Sequence, residues 1–211
     1  MQKKDKEQGY FIVFEGIDGS GSSTQAELLC EYFKAKKQPA ILSPEPSSGK
    51  IGKLLREFLG NENNFANQDL FDQQMAYLFA ADRHYHLYNN IDGVKKLIKK
   101  NIHVITTRYY FSSLAYNSKN KTEYEFVKSL NQQFPPPDLL IYFDIPVDIA
   151  LERIKDRAIQ EIYETKEKLI QVRQNFLQII DEYQNNYLKI DATKTKEEIH
   201  LQIINYLENK Q

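Results

Sequence analysis

The sequence predicts an α/β domain: a mainly parallel sheet of about five strands with helices on both faces. Three observations carry this reading. Short apolar runs rich in β-branched and aromatic residues alternate with stretches whose apolar residues recur at helical spacing. The alternation runs through all 211 residues with no internal repeat and no domain-scale linker, so a single domain over residues 1–211 is expected. The first apolar run also ends in a glycine-rich turn and leads into an amphipathic helix, which is how a βαβ unit opens.

Taken in order, residues 10–14 (Tyr-Phe-Ile-Val-Phe) read as a buried strand that turns at Gly16. Leu28, Leu29, Tyr32 and Phe33 then give an apolar face to a helix from Thr24 to about Lys36. Residues 40–42 are a second short strand, and the Pro/Ser/Gly-rich residues 44–49 are a loop. A helix follows from about Ile51 to Leu59, stopped by Gly60 and an Asn-rich stretch reaching Asn67. Leu70 to about Tyr88 contains neither Gly nor Pro and reads as a long helix. Ile91, Val94, Leu97 and Ile98 mark another, with Asn101 placed to end it. Residues 102–106 are a strand, Ser113 to Asn117 begins a helix, and Val127 to Phe134 continues helical until three prolines break the chain at 135–137. Residues 139–143 form a buried strand closed by Asp144. Ile149 to about Glu182 is mostly helical and highly charged, and residues 187–190 are a last strand. Thr195 and Glu198 have capping-box spacing before a helix whose face carries Ile199, Ile203 and Leu207.

Composition narrows the function classes. With 41% apolar and 27% charged residues, the chain is neither disordered nor collagen-like. A net charge of −1 lacks the basic excess of a nucleic-acid binder, so no nucleic-acid partner is expected. The one cysteine, Cys30, has no disulfide or metal-ligand partner and reads as a small buried hydrophobe. Residues 1–8 are polar and read as a flexible tail without the apolar core of a signal peptide, and no run of 18 apolar residues occurs. No membrane association and a cytoplasmic location are therefore expected. His84 and His86 make no zinc pattern, and no Ser-His-Asp arrangement is visible.

The chemistry lies in the turn after the first strand, where folds of this class place their ligands. Gly16 and Gly21 have the separation of a phosphate-binding loop, G-x-x-x-x-G-K-[ST], and Ser23 stands where a hydroxyl meets magnesium. Backbone N–H groups must point inward at anionic oxygens there, and the helix N-terminus adds its partial positive charge. Gly16, Asp18, Gly19, Ser20, Gly21, Ser22, Ser23 and Thr24 are the candidate nucleotide-binding residues, with Ser23 the candidate metal ligand. One position departs: Ser22 replaces the lysine that puts a point charge on the β- and γ-phosphates. Either another cation substitutes or phosphoryl transfer is impaired.

From Phe14 through Gly21 and on through Ser23-Thr24-Gln25, the sequence resembles the phosphate loop of the thymidylate kinase family of P-loop nucleoside monophosphate kinases. Residues 44–55, 78–83, 106–109 with 112–117, and 137–144 with Arg153 and Arg157 resemble further segments of that family in the same order, so the resemblance spans nearly the whole chain. It implies a P-loop kinase fold with a helical lid near residues 150–165. It also implies transfer of the γ-phosphoryl group of ATP, with Mg2+, to dTMP, and a homodimer.

The resemblance also assigns roles. Phe79 would stack on the thymine ring, and Arg83, one turn on, would donate to a base carbonyl. Arg108 would clamp the acceptor phosphate as a guanidinium fork. Tyr109 and Tyr116 would wall the nucleoside pocket or else pack in the core, and Ser112 would join the acceptor site. Asp18 would contact the deoxyribose 3′-OH, and Glu45 would support the acceptor phosphate and metal region. Arg153 and Arg157 would stabilise charge on the transferred group and could replace the cation missing at Ser22, with Lys50 and Lys53 as weaker substitutes. Thr107 is a second departure, standing where the family usually has Asp. Two alternatives stay open: a kinase for another monophosphate, and a non-catalytic nucleotide-binding paralogue.

Overall fold

The computed structural model describes residues 8–60, 67–155 and 165–209. The expected tail over residues 1–7, most of the Asn-rich loop, and residues 156–164 of the expected lid, Arg157 included, lie outside the described residues. The sheet contains β1 (Phe11–Gly16), β2 (Ala40–Leu42), β3 (His103–Thr107), β4 (Leu139–Asp144) and β5 (Tyr187–Asp191). Every pairing is parallel, and the order is β2-β3-β1-β4-β5. All of β1 is buried, as is β4 up to its last residue, so both faces of the sheet centre are covered.

β1 is the strand between two directions of chain travel. Phe14 pairs with Thr107 of β3 on one side and Ile141 of β4 on the other. The crevice at its carboxyl end is thus a topological switch point, where ligands of open parallel sheets bind.

The helices follow the apolar spacing with instructive shifts. In α1 (Ser22–Ala35) the buried stripe is Ala26, Leu29, Cys30 and Phe33, so Cys30 is a core residue. After α2 (Lys50–Gly60) and α3 (Gln68–Tyr88) the chain turns into α4 (Val94–Lys99). Ile91, expected in that helix, lies outside it and is 80% exposed. The Asn89 side chain accepts from the amides of Ile91 and Asp92, which favours a turn over a helical start. α5 (Tyr110–Tyr116) begins earlier than the expected Ser113, because its first amides are capped by Glu15 of β1. α6 (Lys121–Asn131) starts at an Asn120 cap and ends before Phe134, whose ring turns into the core. The long charged stretch contains α7 (Val147–Ile154) and α8 (Lys166–Glu182), the latter opened by a Thr165 cap. The capping box of α9 (Lys196–Glu208) is present in both directions.

Asn101 ends α4 as its sequence position suggested. Its φ is 58°, the amide of Ile102 donates to Leu97 O at 3.1 Å, and its own amide donates to Ile98 O at 3.0 Å. That is a Schellman closure around a left-handed residue. Asn101→Val is expected to lower unfolding stability by about 1–2 kcal/mol, because a β-branched side chain clashes in this backbone region, whereas Asn101→Gly should leave it unchanged or raised. Urea titration of both variants checks this.

Candidate active site

Beyond the carboxyl ends of β1 and β3 lies a cavity of about 590 Å3. Residues 17–24 form one wall. Gly19 and Gly21 take φ of 82° and 85°, left-handed values that side chains resist, and these let the loop curl back over its own amides. Gly21 at the N-cap has no side chain to cap α1, and among the described residues no side-chain cap bond is made there. Ser22, Ser23 and Thr24 line the cavity at this helix start, and the buried Ser20 hydroxyl has no hydrogen-bond partner among the described residues. Gly16 ends β1 behind the loop, outside the cavity lining.

Arg108 faces this wall from the end of β3. It has a φ of 66°, a left-handed value unusual for a long side chain. Its Nη2 donates to Asp18 Oδ1 at 2.5 Å, and its Nη1 donates to Ser112 Oγ at 3.2 Å. The guanidinium lies 4.9 Å from the Tyr116 ring centre, and the Tyr116 hydroxyl donates to Asp18 Oδ2 at 2.9 Å. Burial, more than any other influence, keeps the Tyr116 phenol well above its usual pKa, so it acts as a neutral donor. Asp18 therefore ties the phosphate loop to the arginine opposite.

Glu15 lies directly beneath, fully buried in β1. Its Oε1 accepts from the amides of Tyr109 at 2.7 Å and Ser112 at 3.1 Å, and its Oε2 accepts from Ser112 Oγ at 2.6 Å. Sequence reasoning gave this residue no role. The available signal was an ionisable side chain at the end of an otherwise apolar strand.

The far end of the cavity is built by α3 and the loop after β2. Phe79 lines it, half-buried. Arg83 also borders it but is only 1% exposed. Its Nε donates to Glu45 Oε2 at 2.9 Å, its Nη2 to Ser113 Oγ at 3.1 Å and its Nη1 to Asn131 Oδ1. The expected donor to a base carbonyl is thus a buried hub joining the 43–49 loop, α5 and α6. Glu45, expected beside phosphate and metal, takes Arg83 on Oε2 and His86 Nδ1 at 3.1 Å on Oε1. His86 Nε2 in turn meets Ser43 Oγ at 2.8 Å. Asp82 anchors the same loop, accepting from the amide and hydroxyl of Ser47 at 2.6 Å each. Tyr109 adjoins the cavity, but its ring is core, with its hydroxyl donating to Pro135 O at 3.0 Å. Ser113 and Asn117 line the cavity too, and the buried Asn117 Oδ1 has no hydrogen-bond partner among the described residues. Neither was given a role from sequence, because their placement depends on where α5 starts.

Ser22 and Thr107, the two departures, line this one cavity. Arg153 of α7 brings its Nη1 to 3.5 Å from Gly19 O, and among the described residues no carboxylate pairs with it. Lys50 and Lys53 are outside the cavity lining among the described residues. No cluster of three or more His, Cys, Asp or Glu positioned to hold a metal occurs among them either.

Burial pushes the Glu15 carboxyl up from 4.5 to about 7, against the opposing pull of its hydrogen bonds to Ser112 and Tyr109 and of the Arg108 charge. The folded protein therefore keeps a proton that the unfolded chain has released between these values. The stabilisation from this group is full below pH 4.5 and is lost as pH rises through 7. The stability of the protein relative to its Glu15→Gln variant should fall by about 2–3 kcal/mol between pH 5 and 8. Urea midpoints across that range check this, and a flat difference would contradict it.

A family model described as thymidylate kinase matches residues 14–203. A Methanococcus aeolicus protein named probable thymidylate kinase is 39% identical over 207 residues, covering 95% of this chain and 96% of its own. One of the same name from Methanocaldococcus jannaschii is 39% identical over 203 residues, covering 94% and 96%. The solved structure of thymidylate kinase from Candida albicans superposes with a TM-score of 0.76 at 26% identity, covering 96% of this chain and 92% of that one. The phosphate loop, the facing arginine and the sheet order thus occur in a chain that belongs to the thymidylate kinase family.

Proposed function

We propose that this protein transfers the γ-phosphoryl group of ATP to dTMP, giving dTDP and ADP. The observation that carries the reading is the opposition of two phosphate sites across one cavity. Open amides at the start of α1 face Arg108, and Asp18 holds the two walls together. Phosphoryl transfer needs donor and acceptor in line and negative charge stabilised on the moving group, with little covalent work for the protein. The loop and α1 amides cradle the donor phosphates, and Arg108 grips the acceptor phosphate. Phe79 offers a face for the base, which Arg83 serves indirectly by fixing Ser113 and the 43–49 loop around it.

Mg2+ suits the donor set. Ser23 and Thr107 are hydroxyl-bearing residues lining the cavity, and this cation commonly keeps water and substrate oxygens while taking few protein ligands. Ser23 and Thr107 would hold it together with phosphate oxygens, and it would supply charge neutralisation on the donor there. Arg153 supplies the cation that Ser22 does not, since it lies against the loop and is unpaired among the described residues. No helix among the described residues is long and apolar enough to cross a membrane, and a cytoplasmic enzyme fits this. A homodimer would bury apolar side chains such as Leu54 of α2 and Leu70 and Tyr77 of α3, each exposed in the single chain, and light scattering would measure it.

A coupled ADP-release assay with a panel of nucleoside monophosphates tests the reading. dTMP should give the highest kcat/KM, and nucleotide binding without turnover of any acceptor would overturn it. Arg108→Ala should lower kcat/KM for dTMP by about a hundredfold or more, the expected loss of a charge-assisted phosphate contact. Arg153→Ala should lower kcat by roughly tenfold to a hundredfold, with Ser22→Lys restoring part of the loss in that background. If Arg153→Ala turns over normally, another cation serves the donor.

A further inference from the structure

The acceptor arginine has a backbone that must be held from outside. Arg108 adopts a φ of 66°, and such a conformation in a residue other than glycine persists only where its surroundings over-determine it. The helix that follows, α5, has no side-chain cap of its own at Tyr109. Both needs are met by β1. The amide of Arg108 donates to Phe14 O at 2.9 Å, and the next amide, Tyr109, donates to Glu15 Oε1 at 2.7 Å. The strained residue is thus bracketed by two bonds to consecutive positions of one strand. The same carboxylate reaches the far end of the guanidinium through Ser112, whose hydroxyl donates to Oε2 at 2.6 Å and accepts from Arg108 Nη1 at 3.2 Å.

Glu15 immediately precedes Gly16, where the phosphate loop begins. One strand end therefore holds the donor loop through the backbone and the acceptor arginine through a side chain. We infer that Glu15 is a positioning residue that sets Arg108 against the phosphate loop, and with it the register between acceptor and donor phosphates. It holds the Tyr109 and Ser112 groups through both carboxyl oxygens and touches neither nucleotide. Asp18 makes the outer connection between the same two walls, but its side chain lies at the cavity, whereas Glu15 is enclosed and fixes the backbone itself. The inference rests on the reading of the cavity as a dTMP and ATP site, which turnover by the unmodified enzyme tests separately.

Steady-state kinetics with ATP and dTMP distinguish positioning from general support of the fold. Glu15→Leu keeps bulk and removes every acceptor, so KM for dTMP should rise by about tenfold or more while KM for ATP stays within roughly twofold. Glu15→Gln should restore KM for dTMP to within about threefold, because its carbonyl can accept both amides and its NH2 can donate to Ser112 Oγ. Three results overturn the inference in a folded Glu15→Leu enzyme: an unchanged KM for dTMP, an equal rise for both substrates, or a Glu15→Gln variant as impaired as the leucine one. If Glu15→Leu does not fold, Ser112→Ala cuts the link from Oε2 to the guanidinium. A selective rise in KM for dTMP is then expected, and its absence overturns the inference.

Discussion

The rest of the site depends on one constraint: an arginine must stand at the end of β3 with its guanidinium aimed across the sheet at a loop that leaves β1. The bond from Arg108 Nη2 to Asp18 Oδ1, at 2.5 Å, expresses that constraint most directly. It is possible because β1 and β3 are neighbours in register, with Phe14 beside Thr107, although Asp18 and Arg108 are 90 residues apart in sequence. The strand order brings the two walls together, and the left-handed turn at Arg108 aims the side chain. The parallel sheet is thus the reason a loop near the start of the chain and a strand from its middle can line one cavity.

Burial enforces the same geometry at the cavity's far end. Arg83 and Glu45 are both nearly inaccessible, and each would be costly to leave unpaired there. Their mutual bond, with His86 on the other oxygen of Glu45 and Asn131 and Ser113 on Arg83, satisfies these charges only when the 43–49 loop, α3, α5 and α6 are all in place. A buried ion pair of this kind adds little net stability but penalises alternative packings, because any shift strands a charge. The Arg83 and Tyr109 stacking contact, at 5.3 Å, packs the guanidinium against the core ring next to the acceptor turn. The cavity wall that carries Phe79 and Arg83 is therefore fixed by buried charges.

This arrangement also shows what sequence can and cannot reveal. The strands and helices were legible because apolar spacing is a local signal, and the tight turn after β1 was legible because its glycines answer a local backbone demand. Asn101 could be read as a helix stop for the same reason. Ile91 could not, since an Asn89 turn competed with an apparently periodic apolar pattern. The start of α5 was hidden because its cap comes from Glu15, 94 residues before Tyr109. The resemblance gives Arg83 a base carbonyl as partner, and its spacing from Phe79 puts both on one helix face, whereas its bonds to Glu45, Asn131 and Ser113 depend on the packed structure. Pairwise claims on a long polar side chain are tertiary information.

The two substitutions in the phosphate site belong to the same logic. A lysine and an aspartate facing one cavity form a charge pair, and removing one alone leaves the other uncompensated at a site of reduced dielectric. In this chain Ser22 and Thr107 stand at the two positions, so neither charge is present in the cavity lining there. What remains is a nest of amides, hydroxyl-bearing residues in place of the charges, and an arginine at the loop's edge rather than a lysine within it. The amides keep their orientation because glycine conformation and the start of α1 set it, not the side chain at position 22. Binding of the donor phosphates can thus persist without the ammonium group. The charge needed only when the phosphoryl group moves can come from α7, a different element, whose guanidinium already lies beside Gly19.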